Sequence, residues 1–268
     1  MLQAEYRIAK NEVARSFNQA VKSYDAHASL QREVADKLLG KIQADDRVKR
    51  LLDLGSGTGY CTASLQKLFP AAEIVSLDIA EGMLGFAARQ HQQENLNEYF
   101  VCADAENLPF RDNSFDLIFS SLAIQWCQNY PALFNDLHRV MQNDGKIFMT
   151  TFGPGTLVEL EQAWQKIDDA VHVNHFHDDV ALRNVLEHAG FQKPVLQGEK
   201  KLRYYPNLAA LTRELKSIGA RNLNAGRGRG LNGRNKIVRL KQAFEGNSET
   251  GRGIPVTYQL QYLSAGVV

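Results

Sequence analysis

The sequence predicts a doubly wound α/β fold, a mostly parallel seven-stranded sheet with helices on both faces and a helical lid. Three observations predict it. Strand-like apolar runs alternate with helical patterns from Val48 to Phe152, the order that builds parallel sheets through crossover helices. The runs are nearly continuous in apolar character, as strands covered on both faces are. A glycine-rich turn, LDLGSGTGYC, joins the first strand to the first helix.

VKRLLDLG (Val48 to Gly55) is the first strand, stopped by glycine. The helix after it, Thr62 to Leu68, closes at Phe69-Pro70, because proline cannot continue a helix. EIVSLDI (Glu73 to Ile79) is the second strand, and GMLGFAARQHQ (Gly82 to Gln92) the helix behind it. EYFVCADA supplies the third strand and FDLIFSS (Phe115 to Ser121) the fourth. PALFNDLHRVM puts Leu133, Phe134, Leu137, Val140 and Met141 on one helical face, and KIFMTTF (Lys146 to Phe152) follows as the fifth strand. Asp178 is read as the N-cap of a helix, VALRNVLEHA, that Gly190 stops. KPVLQGEKKLRYY and IPVTYQLQYL complete the sheet; the alternation of the second predicts an edge or antiparallel strand.

Three pieces lie outside this core. Residues 1–45 form an N-terminal helical segment, helical over Asn11 to Leu39, with Val13, Phe17, Ala20, Val21 and Tyr24 at three- and four-residue spacing. Residues 153–177 are an insertion, and residues 206–252 are a basic insertion. The core itself is 46–152, resumed in 178–205 and 253–268. The outer pieces are expected to gather as a lid over the C-terminal edge of the sheet, where open α/β folds bind ligands.

The 268 residues are expected to form a single domain, with length left for insertions around one core. No apolar run approaches the roughly 20 residues that span a bilayer. The opening MLQAEYRIAKNEVARSF lacks the apolar segment of a secretory signal. Cys61, Cys102 and Cys127 have no CxxC spacing and read as reduced residues of a cytoplasmic protein. A net charge of +1 hides a separation: Lys193 to Lys241 carries 13 basic and two acidic residues, net +11, against −10 elsewhere. That predicts an acidic partner, nucleic acid or protein; charge alone does not choose.

The glycine turn places Gly55, Gly57 and Gly59 where the backbone must turn tightly and approach a ligand closely. Its spacing is GxGxG rather than the GxGxxG of dinucleotide enzymes. Asp53 precedes it from within the strand, and a carboxylate there suits a cationic ligand end better than a pyrophosphate. Asp78 ends the second strand, where a carboxylate accepts from both hydroxyls of a ribose. Asp104 follows the third strand, beside Ala105, positioned for the exocyclic amine of adenine. Ser56, Ile79, Met83 and Ser120 join these as cofactor-binding candidates. In this order the block resembles the class I methyltransferases, Rossmann-like enzymes that use S-adenosylmethionine.

The segment after the fourth strand speaks to the acceptor. It reads SSLAIQW (Ser120 to Trp126), not the NPPY-like turn of amine methylation, and no Pro-Cys nucleophile for cytosine C5 chemistry is present. A carboxylate acceptor fits better, being ionised at neutral pH and needing no general base. It must be held in line with the methyl at about 3 Å with water excluded. Gln125 and Trp126 are candidate donors at such a pocket, and Tyr24 and Arg203 candidates for a second carboxylate. His172, His175 and His177 are read as a polar helix entry, and no metal is expected.

Beyond these motifs, the chain resembles the malonyl-[acyl-carrier protein] O-methyltransferases of biotin synthesis nearly end to end. The resemblance rests on VARSFNQAVKSYDAHASLQREVADKLL, SSLAIQWC, TTFGPGTLVEL, GARNLNAGRGRGLNGR and PVTYQLQYL. It implies methyl transfer to the free carboxylate of a malonyl thioester, with Tyr24, Phe152 and Arg203 at the malonyl group. It also gives the basic segment an acidic partner, acyl carrier protein, with Arg213, Lys216, Arg221, Arg227, Arg229, Arg234 and Arg239 as docking candidates. Two alternatives stay open: a methyltransferase for a free small acid or quinone-type acceptor, and an RNA-modifying enzyme. The second is disfavoured because aromatics for base stacking are missing between Ala220 and Val238.

Overall fold

A computed structural model describes residues 9–92, 96–220, 233–246, 248–249 and 251–267. Seven strands form one sheet: β1 (Arg50–Leu54), β2 (Glu73–Asp78), β3 (Glu98–Cys102), β4 (Phe115–Ser121), β5 (Met141–Phe152), β6 (Gln192–Tyr205) and β7 (Ile254–Gly266). Their order is β3-β2-β1-β4-β5-β7-β6. The first five are parallel, and β7 runs antiparallel between β5 and β6. The order reverses between β1 and β4, which opens a crevice at their C-terminal ends.

The central strands are buried on both faces, so adjacent residues feed different cores. Leu51 packs with α2 (Ser29–Leu39) and α3 (Thr62–Leu68), through Val34, Leu38 and Leu65. Leu52 packs with α5 (Tyr130–Val140) and α7 (Asp179–His188), through Leu133, Leu137 and Leu186. Burying a leucine or phenylalanine of this kind contributes about 1.5–3 kcal/mol each. The expected N-cap of α7 is present: Asp178 Oδ1 accepts from the Ala181 N–H at 2.8 Å. Asn129 caps α5 in the same way at 3.0 Å.

The sheet and the N-terminus sharpen two expectations. The alternating last strand, β7, is antiparallel, one of the two expected alternatives, and lies inside the sheet, whose edges are β3 and β6. The β6 surface leaves Val195 and Leu202 exposed and carries Lys193, Lys200 and Lys201, charges that discourage edge-to-edge pairing. The N-terminal helical segment is two helices, α1 (Lys10–His27) and α2, broken at Ala28. The break lets α2 lie on β4 and β5 while α1 crosses to α4 (Glu81–His91) and α8 (Leu208–Ser217).

The other α-helices among the described residues are α6 (Val158–Gln165) and α9 (Gly233–Glu245). They are fastened by polar contacts. Glu159 accepts from the backbone N–H and hydroxyl of Thr257 at 2.8 and 2.6 Å, tying α6 to β7. Lys236 of α9 pairs with Asp168, just beyond α6, at 2.8 Å. Among the described residues no helix is long and apolar enough to cross a membrane.

Candidate active site

The glycine turn lies at the crevice between β1 and β4. Gly55, Gly57 and Gly59 all take left-handed backbone, with φ of 72°, 57° and 79°. A Cβ on Gly55 would stand 2.2 Å from the Ala123 Cβ, and one on Gly59 would stand 2.4 Å from the His91 ring, whereas Gly57 faces open space. Packing therefore demands two of the glycines, and the third leaves room in front of the turn. The Gly55 and Ser56 N–H groups donate to the Leu77 carbonyl at 2.7 and 3.0 Å. The Gly57 N–H donates to Asp78 Oδ2 at 2.9 Å, and the Ala80 N–H to Asp78 Oδ1 at 2.7 Å. Asp78 is thereby fixed from two sides, and each oxygen keeps acceptor capacity for a ligand hydroxyl. Burial pushes its carboxyl up, and the backbone N–H donors oppose that shift.

A pocket opens in front of Asp78. Gly55, Gly57, Ile79, Met83, Asp104 and Ala105 line it. Helix α1 closes it from above with Val13, Phe17 and Tyr24. Lys10, at the start of α1, bridges Asp104 and Glu106 across the opening. The helix is pinned at other points as well. The Gly82 N–H donates to Asn18 at 2.7 Å, and the Thr58 hydroxyl donates to Asp25 at 2.8 Å.

Behind the turn lies a buried polar layer. Asp53 is 2% exposed, and among the described residues neither its Oδ2 nor the buried Ser56 hydroxyl oxygen has a hydrogen-bond partner. Burial first, then the charges of Glu98 and Asp78, push the Asp53 carboxyl up to about 8, against the pull of His91. Glu98 is held by the hydroxyls of Ser76 and Thr62 and pairs with His91 at 2.6 Å. These features fit S-adenosylmethionine. Asp78 would hold the ribose hydroxyls, Gly57 leaves a cradle that a Cβ would fill, and the unpaired acceptors at the turn suit a cationic amino-acid end.

A second cavity, of about 610 Å³, adjoins the first. Phe17, Tyr24, Leu122 and Trp126 line both. Burial above all, then the charges of Asp78 and Asp25, hold the Tyr24 hydroxyl far above its ordinary range, so it remains a donor. Trp126 meets Phe17 edge-on, ring centres 5.6 Å apart. Phe152 also lines this cavity, against Phe176 and Tyr258 at 5.8 and 5.9 Å. The far wall comes from Leu160 and Trp164 of α6, Leu208 and Leu215 of α8, and Leu240 of α9.

Several sequence candidates stand elsewhere than the pocket walls. Strand alternation turns Ser120 into the core, where its hydroxyl donates to the Leu54 carbonyl at 2.8 Å; its neighbour Ser121 lines the pocket instead. Asp53, Ser56 and Gly59 support the turn from behind. Gln125, expected as a donor, spends its Nε2 on the Leu122 carbonyl at 2.5 Å and leaves Oε1 unpaired among the described residues, so it offers an acceptor. Arg203 donates to Ser29 at 2.7 Å and pairs with Glu33, and it lines neither cavity. Lys201, then Arg203, hold the Glu33 carboxyl below its ordinary range.

No motif or spacing pointed to Lys10 over the pocket. Ser121 could have been found by counting one residue along an alternating strand. His172 stacks on Trp164 at 3.6 Å and pairs with Asp168 at 2.7 Å, whereas His177 lies against Tyr130. Among the described residues no group of three or more His, Cys, Asp or Glu is placed to hold a metal ion. Of the basic candidates, Arg213 and Lys216 are exposed on α8, and Arg239 is exposed on α9, where it donates to the Lys166 carbonyl at 3.2 Å. Arg221, Arg227 and Arg229 and the side chain of Arg234 lie outside the described residues.

Residues 52–149 match a family described as a methyltransferase domain. Over 256 residues the chain is 44% identical to the biotin biosynthesis bifunctional protein BioHC of Cellvibrio japonicus, covering 96% of this chain and 50% of that one. The chain thus spans about half the length of that bifunctional relative. Over 264 residues it is 40% identical to the malonyl-[acyl-carrier protein] O-methyltransferase of Gallionella capsiferriformans, covering 96% of this chain and 91% of that one. Among solved structures, the YcgJ protein of Bacillus subtilis has a TM-score of 0.61 at 17% identity, covering 88% of this chain and 98% of that one. That likeness concerns the fold alone.

Proposed function

This chain belongs to the malonyl-[acyl-carrier protein] O-methyltransferase family, and from that premise we propose how it works: it transfers a methyl group from S-adenosylmethionine to the free carboxylate of a malonyl thioester on acyl carrier protein. The ester so formed would prime pimeloyl synthesis in the biotin pathway. The observation that carries the proposal is the wall shared by the two cavities, Phe17, Tyr24, Leu122 and Trp126. A methyl donor in one and an acyl carboxylate in the other meet at that wall.

When bound, S-adenosylmethionine supplies an electrophilic methyl on a positively charged sulfur. The chain supplies placement. Asp78, fixed by the Gly57 and Ala80 N–H groups, sets the ribose. The Tyr24 hydroxyl, kept protonated by burial, donates to the carboxylate oxygen that does not react. Trp126, Phe152 and Phe176 exclude water from the acceptor side. The acceptor is already ionised, so no general base is called for. Its attack unites an anion with a cation, and a dry apolar wall favours that step. Arg203 reaches the acyl group only by leaving Glu33.

The exposed cations Arg213, Lys216 and Arg239 on α8 and α9 support docking of an acidic carrier, with the net +11 of Lys193 to Lys241 mainly speeding and orienting encounter. The test is mass spectrometry of malonyl-acyl carrier protein after incubation with the enzyme and S-adenosylmethionine. The expected result is a gain of one methyl, removable by an esterase. No gain from an enzyme that still binds S-adenosylmethionine would overturn the acceptor assignment and leave the fold and cofactor standing.

A further inference from the structure

The acceptor cavity is far larger than a malonyl group. Cavities of roughly 300–1,000 Å³ hold ligands of drug size, and this one measures about 610 Å³. Its inner end is the wall shared with the cofactor pocket. Its outer end is marked by the lining residues that are also exposed: Ala209, Thr212 and Lys216 on α8, with Ile237 and Lys241 on α9. We propose that this passage between α8 and α9 takes the phosphopantetheine arm of the carrier, with Lys216 and Lys241 at its mouth receiving the phosphate. The inference rests on the carrier-borne acceptor proposed above.

The chemistry of the passage matches that of the arm along its length. The interior is apolar and aromatic, suited to a methylene-rich chain and a thioester. Among the described residues one buried side-chain atom of the lining lacks a hydrogen-bond partner: Gln125 is 7% exposed, lines the cavity, and its Oε1 is unpaired. A buried unpaired carbonyl oxygen is costly, and an amide N–H of the arm satisfies it. The mouth holds two cations against two acids, but both acids are engaged within the protein. Glu214 accepts from the Tyr205 hydroxyl at 2.8 Å, and Glu245 accepts from the Leu208 N–H at 3.2 Å. Lys216 has no acidic partner among the described residues, and Lys241 stands 3.9 Å from Glu245, too far for a strong pair. A phosphate with a malonyl thioester on its far end therefore has complementary groups at both ends of the passage.

The experiment is competition against methylation of malonyl-acyl carrier protein by two arm fragments, malonyl-phosphopantetheine and malonyl-pantetheine, which differ only in the phosphate. Both are run on the wild type and on the K216E/K241E double variant. The phosphorylated fragment is expected to compete about tenfold more strongly on the wild type. The double variant is expected to erase that difference and to leave the inhibition constant of malonyl-pantetheine within about twofold. Equal inhibition by both fragments on the wild type, or no inhibition by either, overturns the proposal. So does a variant that loses rate with the carrier but keeps the preference for phosphate, since its lysines then meet the carrier's protein surface. A wild type that binds S-adenosylmethionine but never methylates malonyl-acyl carrier protein fails at the earlier step and is recognised by that control. Inhibition of the wild type by coenzyme A equal to that by malonyl-phosphopantetheine would show that the mouth serves a free nucleotide thioester, against the carrier assignment.

Discussion

The two cavities that meet at Tyr24 and Trp126 are built in opposite ways. The floor of the cofactor pocket is made of backbone and strand ends: the left-handed Gly55 and Gly57, carboxylates at the ends of β2 and β3, and N–H groups aimed at Asp78. The acceptor cavity is made largely of side chains contributed by α6, α8 and α9, and by loops between distant elements. A site fixed by a parallel sheet has few ways to adjust, and one change in it removes a ligand group outright. A site framed by helix faces adjusts by rotamer changes, so single substitutions there should shift affinity by degrees.

The largest expected effect follows from that difference. Replacing Asp78 by alanine removes the carboxylate held by Gly57 and Ala80. Hydrogen bonds to a charged group contribute about 1.5–3 kcal/mol each, so S-adenosylmethionine binding measured by calorimetry should weaken on the order of 100-fold or more. A loss below about tenfold would mean that Asp78 merely braces the glycine turn.

Asp53 gives the next effect, with a pH signature. Its carboxyl sits at about 8 in the folded chain, against about 3.9 in an unfolded one. Between those values the folded state holds the extra proton, so Asp53 lowers stability progressively as pH rises from about 4 to about 8. Below that window its contribution is favourable relative to higher pH, and above it the loss is complete. Asp53→Asn should flatten this part of the stability curve and raise the melting temperature of the ligand-free protein at pH values near and above 8. The cationic end of the ligand favours the ionised carboxylate, so wild-type affinity should rise with pH up to the same point, with a proton released on binding. An unchanged slope in the variant, in either measurement, would remove Asp53 from both roles.

The acceptor side should respond more mildly. Phe152 touches Phe176 and Tyr258, and an aromatic pair contributes about 0.5–1.5 kcal/mol beyond its buried area. Phe152→Leu is therefore expected to raise KM for the carrier substrate roughly 3- to 10-fold and to leave S-adenosylmethionine binding unchanged. A parallel loss of cofactor affinity would show that the two cavities are not separable at this wall.

The same contrast explains what could be read from residues alone. β1, β2 and β4 were legible because strands buried on both faces leave nearly unbroken apolar runs, the first of them closed by Gly55. Asp78 and Asp104 could be placed at the crevice because the ends of parallel strands open onto it whatever the rest of the fold does. Ser120 was misplaced relative to Ser121 because a strand's period of two makes one residue decide the face. The alternation of β7 records which side chains are buried, but not that β6 would pair outside it. The acceptor cavity was legible only in part. The apolar faces of α8 and α9 say that Leu208 and Leu240 pack; nothing local says that they pack around a space that also borders Trp164. The break at Ala28 carries no proline or glycine to announce it.

Lys10 supplies the smallest expected effect and joins the two regions. It reaches from α1 to Asp104 and Glu106 at the cofactor pocket, and α1 also accepts the task of holding α8, through the Ser16 and Ser23 hydroxyls on the Gly219 and Ser217 carbonyls at 2.8 Å each. An adenine amine bound at Asp104 must share that carboxylate with the lysine. Partly exposed ion pairs are worth about 0–1 kcal/mol, so Lys10→Gln should tighten S-adenosylmethionine binding only a few-fold. The gain should come from faster association, measured by stopped flow, because the pair is broken on entry. Weaker binding through faster dissociation would give Lys10 the opposite role, that of a clasp that closes behind the ligand, and would place α1 among the elements that hold the cofactor rather than among those that admit it.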